Sequence, residues 1–253
     1  IEGTPTIAEW LGKELQDVQS PEVGLDGMVN SYNYVKDLSY SLRKLGGITL
    51  RTNLDPLEQI WENRPSLPAN PVEIQPLEYA GETLASKVAR IRKSLRELHA
   101  DGMLVSALDD IAWILNLRGT DVHCNPVFVS YLLIESDKVS LFVDDNKLSP
   151  EVKQYLQDNQ VSLYKYNKVE KCLESYSEYN ILLDGNETSY YLWKAVKCQE
   201  IVAAGSPIPA MKAVKNKAEI EGYYSAMLKD GVAMVKFLKW LKPAVEAGGQ
   251  TEI

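Results

Sequence analysis

The order of apolar and polar positions predicts alternating helices and strands, and residues 106–134 carry the clearest pattern. A helix is predicted to begin at Ser106, whose hydroxyl can accept from a free amide of the first turn. It is predicted to end at Gly119, which can adopt a left-handed conformation. Its apolar face consists of Leu108, Ile111, Ala112 and Leu115. Residues 127–134 are almost continuously apolar, which predicts a strand buried on both faces at the centre of a mixed sheet.

Shorter patterns on either side predict the rest of the fold. Before residue 63 they predict helices at 6–15, 34–45 and 54–61 and strands at 23–25 and 48–51. After residue 83 they predict helices at 84–98, 150–156, 169–176 and 188–196 and strands at 103–106, 139–143, 161–166, 180–184 and 200–203. The strand at 139–143 is expected to pair with 127–134 through a turn at 136–138. Together these elements predict a compact α/β domain on a mixed sheet.

Prolines divide the chain into units. Between residues 63 and 76 the sequence places Pro65, Pro68, Pro71 and Pro76. Proline at this density stiffens the backbone and removes hydrogen-bond donors, which predicts an extended, semi-rigid linker. We therefore expect part of a first domain at 1–62, the linker at 63–83 and a second domain at 84–212. A capping box of Asn216 and Glu219 predicts a long helix that begins a further unit at 213–253.

Composition narrows the function classes. The 253 residues are 45% hydrophobic and 25% charged, as in globular proteins. A net charge of −8 argues against nucleic acid as a partner, because phosphates require a basic surface. No apolar run approaches the roughly 18–20 residues of a membrane span. Cys124, Cys172 and Cys198 are too widely spaced for a disulfide framework or a metal knuckle, which favours reduced thiols in a cytoplasmic protein.

A polar loop at 118–126 joins the predicted helix to the predicted central strand. Loops held by such rigid elements frequently carry function. Arg118 and Asp121 are close enough in sequence to pair across the loop. The guanidinium of Arg118 can therefore brace the loop against that carboxylate, or it can bind a carbonyl or carboxylate of a ligand.

Other chemical motifs are absent or have a structural explanation. The sequence contains no dinucleotide-binding glycine fingerprint, P-loop, zincin motif or nucleophile elbow. We expect His99 to lie at a helix end, and His123 with Cys124 to be too few ligands for a metal. Asp109 and Asp110 suit the first turn of a helix, where acidic groups are favoured. Packing along the last helix is expected for Tyr223, Tyr224, Phe237 and Trp240.

Three motifs resemble a known family. Residues 109–128, DDIAWILNLRGTDVHCNPVF, closely resemble the middle domain of the Xaa-Pro aminopeptidases, the three-domain form of the creatinase/prolidase-like metallopeptidases. Residues 60–65, IWENRP, resemble the linker between the first two domains of that family. Residues 213–222, AVKNKAEIEG, resemble the entry to its catalytic domain. The motifs stand in the family's order and the resemblance covers essentially the whole chain.

The resemblance implies a fold and an activity. The fold would be a creatinase N-terminal-like mixed sheet flanked by helices, of ribonuclease H-like type, with part of a similar α/β domain before it. The first helix of a pita-bread catalytic domain would follow it. The whole protein would be a cytoplasmic, homodimeric enzyme that removes an N-terminal residue preceding proline. It would use two divalent metal ions, typically manganese, held by two aspartates, a histidine and two glutamates.

Those metal ligands are expected beyond residue 253, so the chain is interpreted as an inactive fragment without a metal site of its own. Arg118, Asp121 and Asn125 are the candidates to line the substrate cleft. The alternative function is a non-catalytic module of the same fold that holds peptides or partner proteins. A creatine- or dipeptide-specific relative is a third possibility, against which the domain order and the NLRG loop argue.

Overall fold

The computed structural model describes residues 3–58, 60–176 and 179–251. The helices are α1 Ile7–Glu14, α2 Tyr32–Gly46, α3 Leu77–Ala80, α4 Leu84–Glu97, α5 Leu108–Leu115, α6 Pro150–Asp158, α7 Val169–Glu174, α8 Tyr190–Ala195, α9 Ile208–Ala213 and α10 Lys217–Ala247. The strands are β1 Glu22–Gly24, β2 Thr49–Arg51, β3 Glu73–Ile74, β4 Gly102–Val105, β5 Leu117–Arg118, β6 Ser130–Glu135, β7 Val139–Val143, β8 Val161–Lys165, β9 Asn180–Leu183 and β10 Glu200–Ala203.

A six-stranded mixed sheet with the order β10-β9-β4-β6-β7-β8 forms the centre of the fold. Strand β6 lies between β4 and β7 and is antiparallel to both. The prediction of a buried central strand is confirmed, but the strand begins at Ser130 rather than Val127. Val127 and Phe128 are buried without joining the ladder, and the amide of Val129 donates to the side chain of Asp121.

Helices cover both faces of the sheet, because successive strand side chains point to opposite sides. Leu132 and Ile134 of β6 pack in the core with α4, α5 and α6, whereas Leu133 packs in the core with α7 and α8. The predicted α/β class, a mixed sheet flanked by helices, is confirmed. Most other elements agree with their predicted positions to within a few residues.

The residues before 63 form a smaller set of elements. Its parallel strands β1 and β2 and helices α1 and α2 share a small apolar core. The helix predicted at 54–61 is wrong for the residues described there, which form turns, residue 59 lying outside them. The carboxylate of Asp55 accepts from the amide of Leu57 at 2.9 Å, an interaction that competes with helix formation.

Helix α5 ends earlier than predicted. Ala107 precedes its first turn without a side-chain cap, so the predicted cap by Ser106 is wrong. Asn116 adopts the left-handed conformation that ends the helix, with φ of 51°, so Gly119 is not the terminator. Gly119 is needed for a different reason: a Cβ there would lie 2.8 Å from the Cβ of Phe128.

Helix α10 extends away from the sheet. The predicted capping box of Asn216 and Glu219 is confirmed. None of the described residues of α10 is buried, and Tyr223, Phe237 and Trp240 are each about half exposed. Phe237 and Trp240 contact each other along the helix, with ring centroids 5.8 Å apart, but none of the four aromatics is buried within this chain. Among the described residues, no helix is apolar enough over sufficient length to cross a membrane.

Candidate functional site

A cleft of about 510 Å³, here called the Arg118 cleft, lies where α5 and β5 meet α9 and α10. Clefts of this size suit small ligands or short peptide segments. The side chains that matter for its chemistry are Trp113, Arg118, Asn125, Lys212, Glu219 and Tyr223. The polar loop of residues 119–126 forms one rim.

Arg118 reaches the cleft from β5, which pairs with β3. Its Nη1 donates to the carbonyl oxygens of Ala112 at 3.0 Å and Leu117 at 2.8 Å. Burial lowers the pKa of Arg118, and the charge of Glu219 opposes this shift. The guanidinium is therefore a half-buried cation that braces the end of α5 with one of its nitrogens.

Arg118 and Asp121 do not pair, so that part of the prediction is wrong. Asp121 Oδ2 instead accepts from Lys147 Nζ at 2.5 Å and from the amide of Val129 at 2.7 Å. The side chains of Asp121 and Lys147 are 0% and 2% exposed. The buried carboxylate of Asp121 therefore fixes the loop to the residues before α6. Asp121 is not among the residues that line the cleft.

Asn125 does line the cleft, beside Pro126 and Val127. Its amide donates to the carbonyl oxygen of Val122 at 3.1 Å, which closes a tight turn in the loop. The structure therefore places Arg118 and Asn125 at the same cleft and Asp121 behind it. The neighbouring His123 and Cys124 are exposed.

Trp113 and Glu219 connect the middle of the chain to α10. The indole Nε1 of Trp113 donates to Glu219 Oε1 at 3.3 Å. Glu219 Oε2 accepts from the amide of Asn216 at 2.9 Å as the second half of the capping box. The Asn216 side chain donates to the carbonyl oxygen of Ala80 at 2.8 Å. The first turn of α10 is thereby fixed to the wall of the cleft.

Lys87 supports that wall from inside the core. Although it is only 1% exposed, its Nζ donates to the carbonyl oxygen of Trp113 at 2.8 Å and to Asn116 Oδ1 at 2.6 Å. The ammonium also lies 4.3 Å from the centre of the Trp113 ring. Burial lowers the pKa of Lys87 to about 8. A buried cation therefore holds both Trp113 and the left-handed residue that leads into Arg118.

Lys212 pairs with both carboxylates at the start of α5. Its Nζ contacts Asp109, and it lies 2.7 Å from Asp110 Oδ1. Burial raises the pKa of Asp110 despite the lysine. Burial also acts to raise the pKa of the more exposed Asp109, but the hydrogen bond and charge of Lys212, together with backbone amides, lower that pKa overall. This ion cluster ties α9 to α5 at the edge of the cleft.

Lys87 and Trp113 are not among the residues predicted from the sequence to carry function. A signal for Lys87 is present, since position 87 falls on the apolar face of α4 together with Leu84, Val88 and Ile91. A lysine at such a position is expected to be buried, and its ammonium then requires hydrogen-bond acceptors. No comparable local signal marks Trp113, because its polar partner lies 106 residues away.

The donor groups of the described residues do not fit a two-metal centre. Within 3–58, 60–176 and 179–251, no three histidine, cysteine, aspartate or glutamate side chains lie close enough to hold a metal ion. The carboxylates of the cleft are committed to Lys212, Trp113 and the cap of α10. The chemistry available in this cleft is binding through hydrogen bonds, charge and aromatic surface.

Comparison with known proteins gives a consistent result. Residues 63–219 match the Creatinase/Prolidase N-terminal domain. The chain is 33% identical to a probable Xaa-Pro aminopeptidase P of Arthroderma gypseum over 97% of its own length and 40% of the relative's. It is 33% identical to the Xaa-Pro aminopeptidase ApepP of Drosophila melanogaster over 100% of its own length and 42% of the relative's. The chain thus spans about two fifths of these curated relatives.

The fold is also that of a solved protein. The X-prolyl aminopeptidase of Caenorhabditis elegans, described as a cytosolic enzyme with a di-nuclear active site, superposes with a TM-score of 0.85. The superposition covers 98% of this chain and 41% of that one, at 24% sequence identity. At this identity the similarity shows the fold.

Proposed function

The chain belongs to the creatinase/prolidase family, and from that premise we propose that it is part of a metal-dependent aminopeptidase that hydrolyses the bond between an N-terminal residue and proline. The observation that carries this proposal is 33% identity to proteins named Xaa-Pro aminopeptidase along essentially the whole chain. The substrates would be peptides with proline in the second position. Hydrolysis would depend on two metal ions, which we propose to be manganese. Both ions would be held by parts of the protein outside this chain.

The chain would supply the part of the enzyme that does not bind the metal ions. Residues 84–212 would be the middle domain, and residues 213–253 would begin the catalytic domain. The bonds of Glu219 to Trp113 and of Asn216 to Ala80 would fix the catalytic domain relative to the middle domain. Arg118 and Asn125 would then line the substrate cleft, with Asp121 holding their loop in place. The enzyme is proposed to be a cytoplasmic homodimer.

The 253-residue chain by itself is expected not to hydrolyse an Xaa-Pro peptide, with or without manganese. The physical reason is that its described residues contain no cluster of three or more histidine, cysteine, aspartate or glutamate side chains that could hold a metal ion. Release of the N-terminal amino acid should be measured for the chain and for the full-length protein, with and without a chelator. Chelator-sensitive turnover by the chain alone would refute this expectation. A full-length protein that binds such peptides without cleaving them would support a non-catalytic binding module instead.

Arg118→Ala in the full-length protein is expected to lower kcat/KM about tenfold for peptides that continue beyond proline, which corresponds to about 1.4 kcal/mol of lost binding. An Xaa-Pro anilide has no residue after proline and serves as the matched substrate, for which kcat/KM should change by less than about twofold. Because Arg118 Nη1 also braces two carbonyl groups, a loss of about 1 kcal/mol in stability is expected as well. Equal losses for both substrates would assign Arg118 a structural role alone.

A further inference from the structure

The geometry of the Arg118 cleft points to a ligand group that neither the family match nor the relatives' names specify: we propose that the cleft binds the C-terminal carboxylate of a short peptide. This inference rests on the proposed function and adds the chemical group that the middle domain recognises. Arg118 would anchor the carboxylate, and the aromatic wall would contact the last side chain.

The residues that line the cleft carry three cations and two carboxylates. The lining cations are Arg118, Lys212 and Lys215, and the lining carboxylates are Asp109 and Glu219. Asp109 is paired with Lys212, which also contacts Asp110. Glu219 accepts from Trp113 and from the amide of Asn216. Arg118 and Lys215 are left without a carboxylate bonded to them among the described residues.

Some of the N–H donors of the Arg118 guanidinium make no hydrogen bond within the described part of the chain. Both of its hydrogen bonds within the described part of the chain are made by Nη1, to Ala112 and Leu117. Its Nε and Nη2 therefore remain available, and together they form the edge that a carboxylate can accept from in bidentate fashion. Partial burial disfavours the isolated charge, and a bound anion would relieve that penalty.

The shape of the cleft favours a peptide end. Its volume of about 510 Å³ lies within the range of sites for drug-sized ligands, so it accommodates a few residues. Trp113 and Tyr223 supply apolar surface on two walls. An enzyme that cleaves after the first residue holds the amino end of its substrate at the metal centre. The part of a short peptide that can reach a neighbouring domain is then its carboxyl end.

The test is a titration of the 253-residue chain, in chelator, followed by NMR at the indole N–H of Trp113 and the Nε–H of Arg118. The probe is alanyl-prolyl-alanyl-leucine as the free acid, and its comparison is the same peptide as the C-terminal amide. We expect the free acid to bind about tenfold more tightly than the amide, as a charge-assisted bidentate contact would give. Equal affinities, or no shift of either signal at millimolar peptide, would overturn the proposal.

Substitutions of Arg118 separate the role of its planar, forked guanidinium from that of its positive charge. Arg118→Gln should abolish the preference for the free acid, and Arg118→Lys, which keeps the charge without the planar fork, should retain only part of it. Arg96→Ala, an exposed arginine in the last turn of α4, should leave the preference unchanged. Because the acid and amide probes are compared on the unaltered chain, the result does not depend on a variant that folds poorly.

A third peptide distinguishes the source of the carboxylate. This peptide is amidated and ends in glutamate, so it carries its carboxylate on a side chain. If it binds as tightly as the free acid, the cleft does not specifically recognise a C-terminal carboxylate and the proposal is overturned. Hydrolysis by the full-length protein gives an independent outcome. If it cleaves the free acid and the amide equally well, the aminopeptidase proposal stands and the carboxylate proposal fails. If it cleaves neither, the aminopeptidase proposal fails while the titration still decides the ligand.

Discussion

Replacing Asp121 with alanine is expected to lower the free energy of unfolding by about 3–5 kcal/mol, the typical loss when one partner of a buried ion pair is removed. Lys147 would be left as a buried cation without its carboxylate, since its side chain is 2% exposed. The amide of Val129 would lose its acceptor at the same time. The measurement is the denaturant midpoint and slope of the 253-residue chain and of Asp121→Ala.

The matched control is Asp145→Ala, which removes the carboxylate of an exposed ion pair with Lys153. Exposed pairs contribute about 0–1 kcal/mol, so this variant should differ little from the parent. Asp121→Ala combined with Lys147→Met removes both charges and should recover most of the loss. If Asp121→Ala is no less stable than Asp145→Ala, the loop is not held by the buried pair.

Lys87 is expected to make the chain more stable as the pH rises from about 8 to 10.5. Burial lowers its pKa from 10.5 to about 8 in the folded state. Below pH 8 the lysine is protonated in both the folded and the unfolded state. Between pH 8 and 10.5 the unfolded state binds more protons, so raising the pH favours folding. A shift of about 2.5 units corresponds to roughly 3 kcal/mol across that window.

The measurement compares the free energy of unfolding of the parent and of Lys87→Met at several pH values from 7 to 10.5. The difference between them should move in favour of the parent by up to about 3 kcal/mol as the pH rises. Tyrosines whose pKa values are raised by burial, such as Tyr131 and Tyr176, are present in both proteins and cancel in this difference. Lys93→Met, which alters an exposed lysine of the same helix, is the control. Parallel profiles for the parent and Lys87→Met would show that the ammonium is not desolvated.

Most of the helices and strands, and the class of the fold, could be predicted from the sequence alone. Helix α4 was predicted from apolar spacing, and in the structure the hydroxyl of Thr83 caps it by accepting from the amide of Ser86. The start of α10 was predicted from Asn216 and Glu219, and the central strand from an apolar run. These features depend on residues within a single helix or strand, or at its cap, so they are visible in one stretch of sequence.

The partners of the polar residues depend on how distant segments pack. Arg118 and Asp121 stand three positions apart, yet Asp121 pairs with Lys147, 26 residues away. Helix α5 ends at Asn116 because that side chain is bonded to Lys87, 29 residues away, and to the carbonyl oxygen of Glu82. Glycine at 119 is required by the close approach of Phe128 and not by the helix end. Hydrogen bonds and ion pairs act over a few ångströms, and the distances between distant segments are set by how the helices pack on the sheet. Local patterns therefore specified most of the helices and strands around the sheet, whereas packing decided which of the polar groups meet.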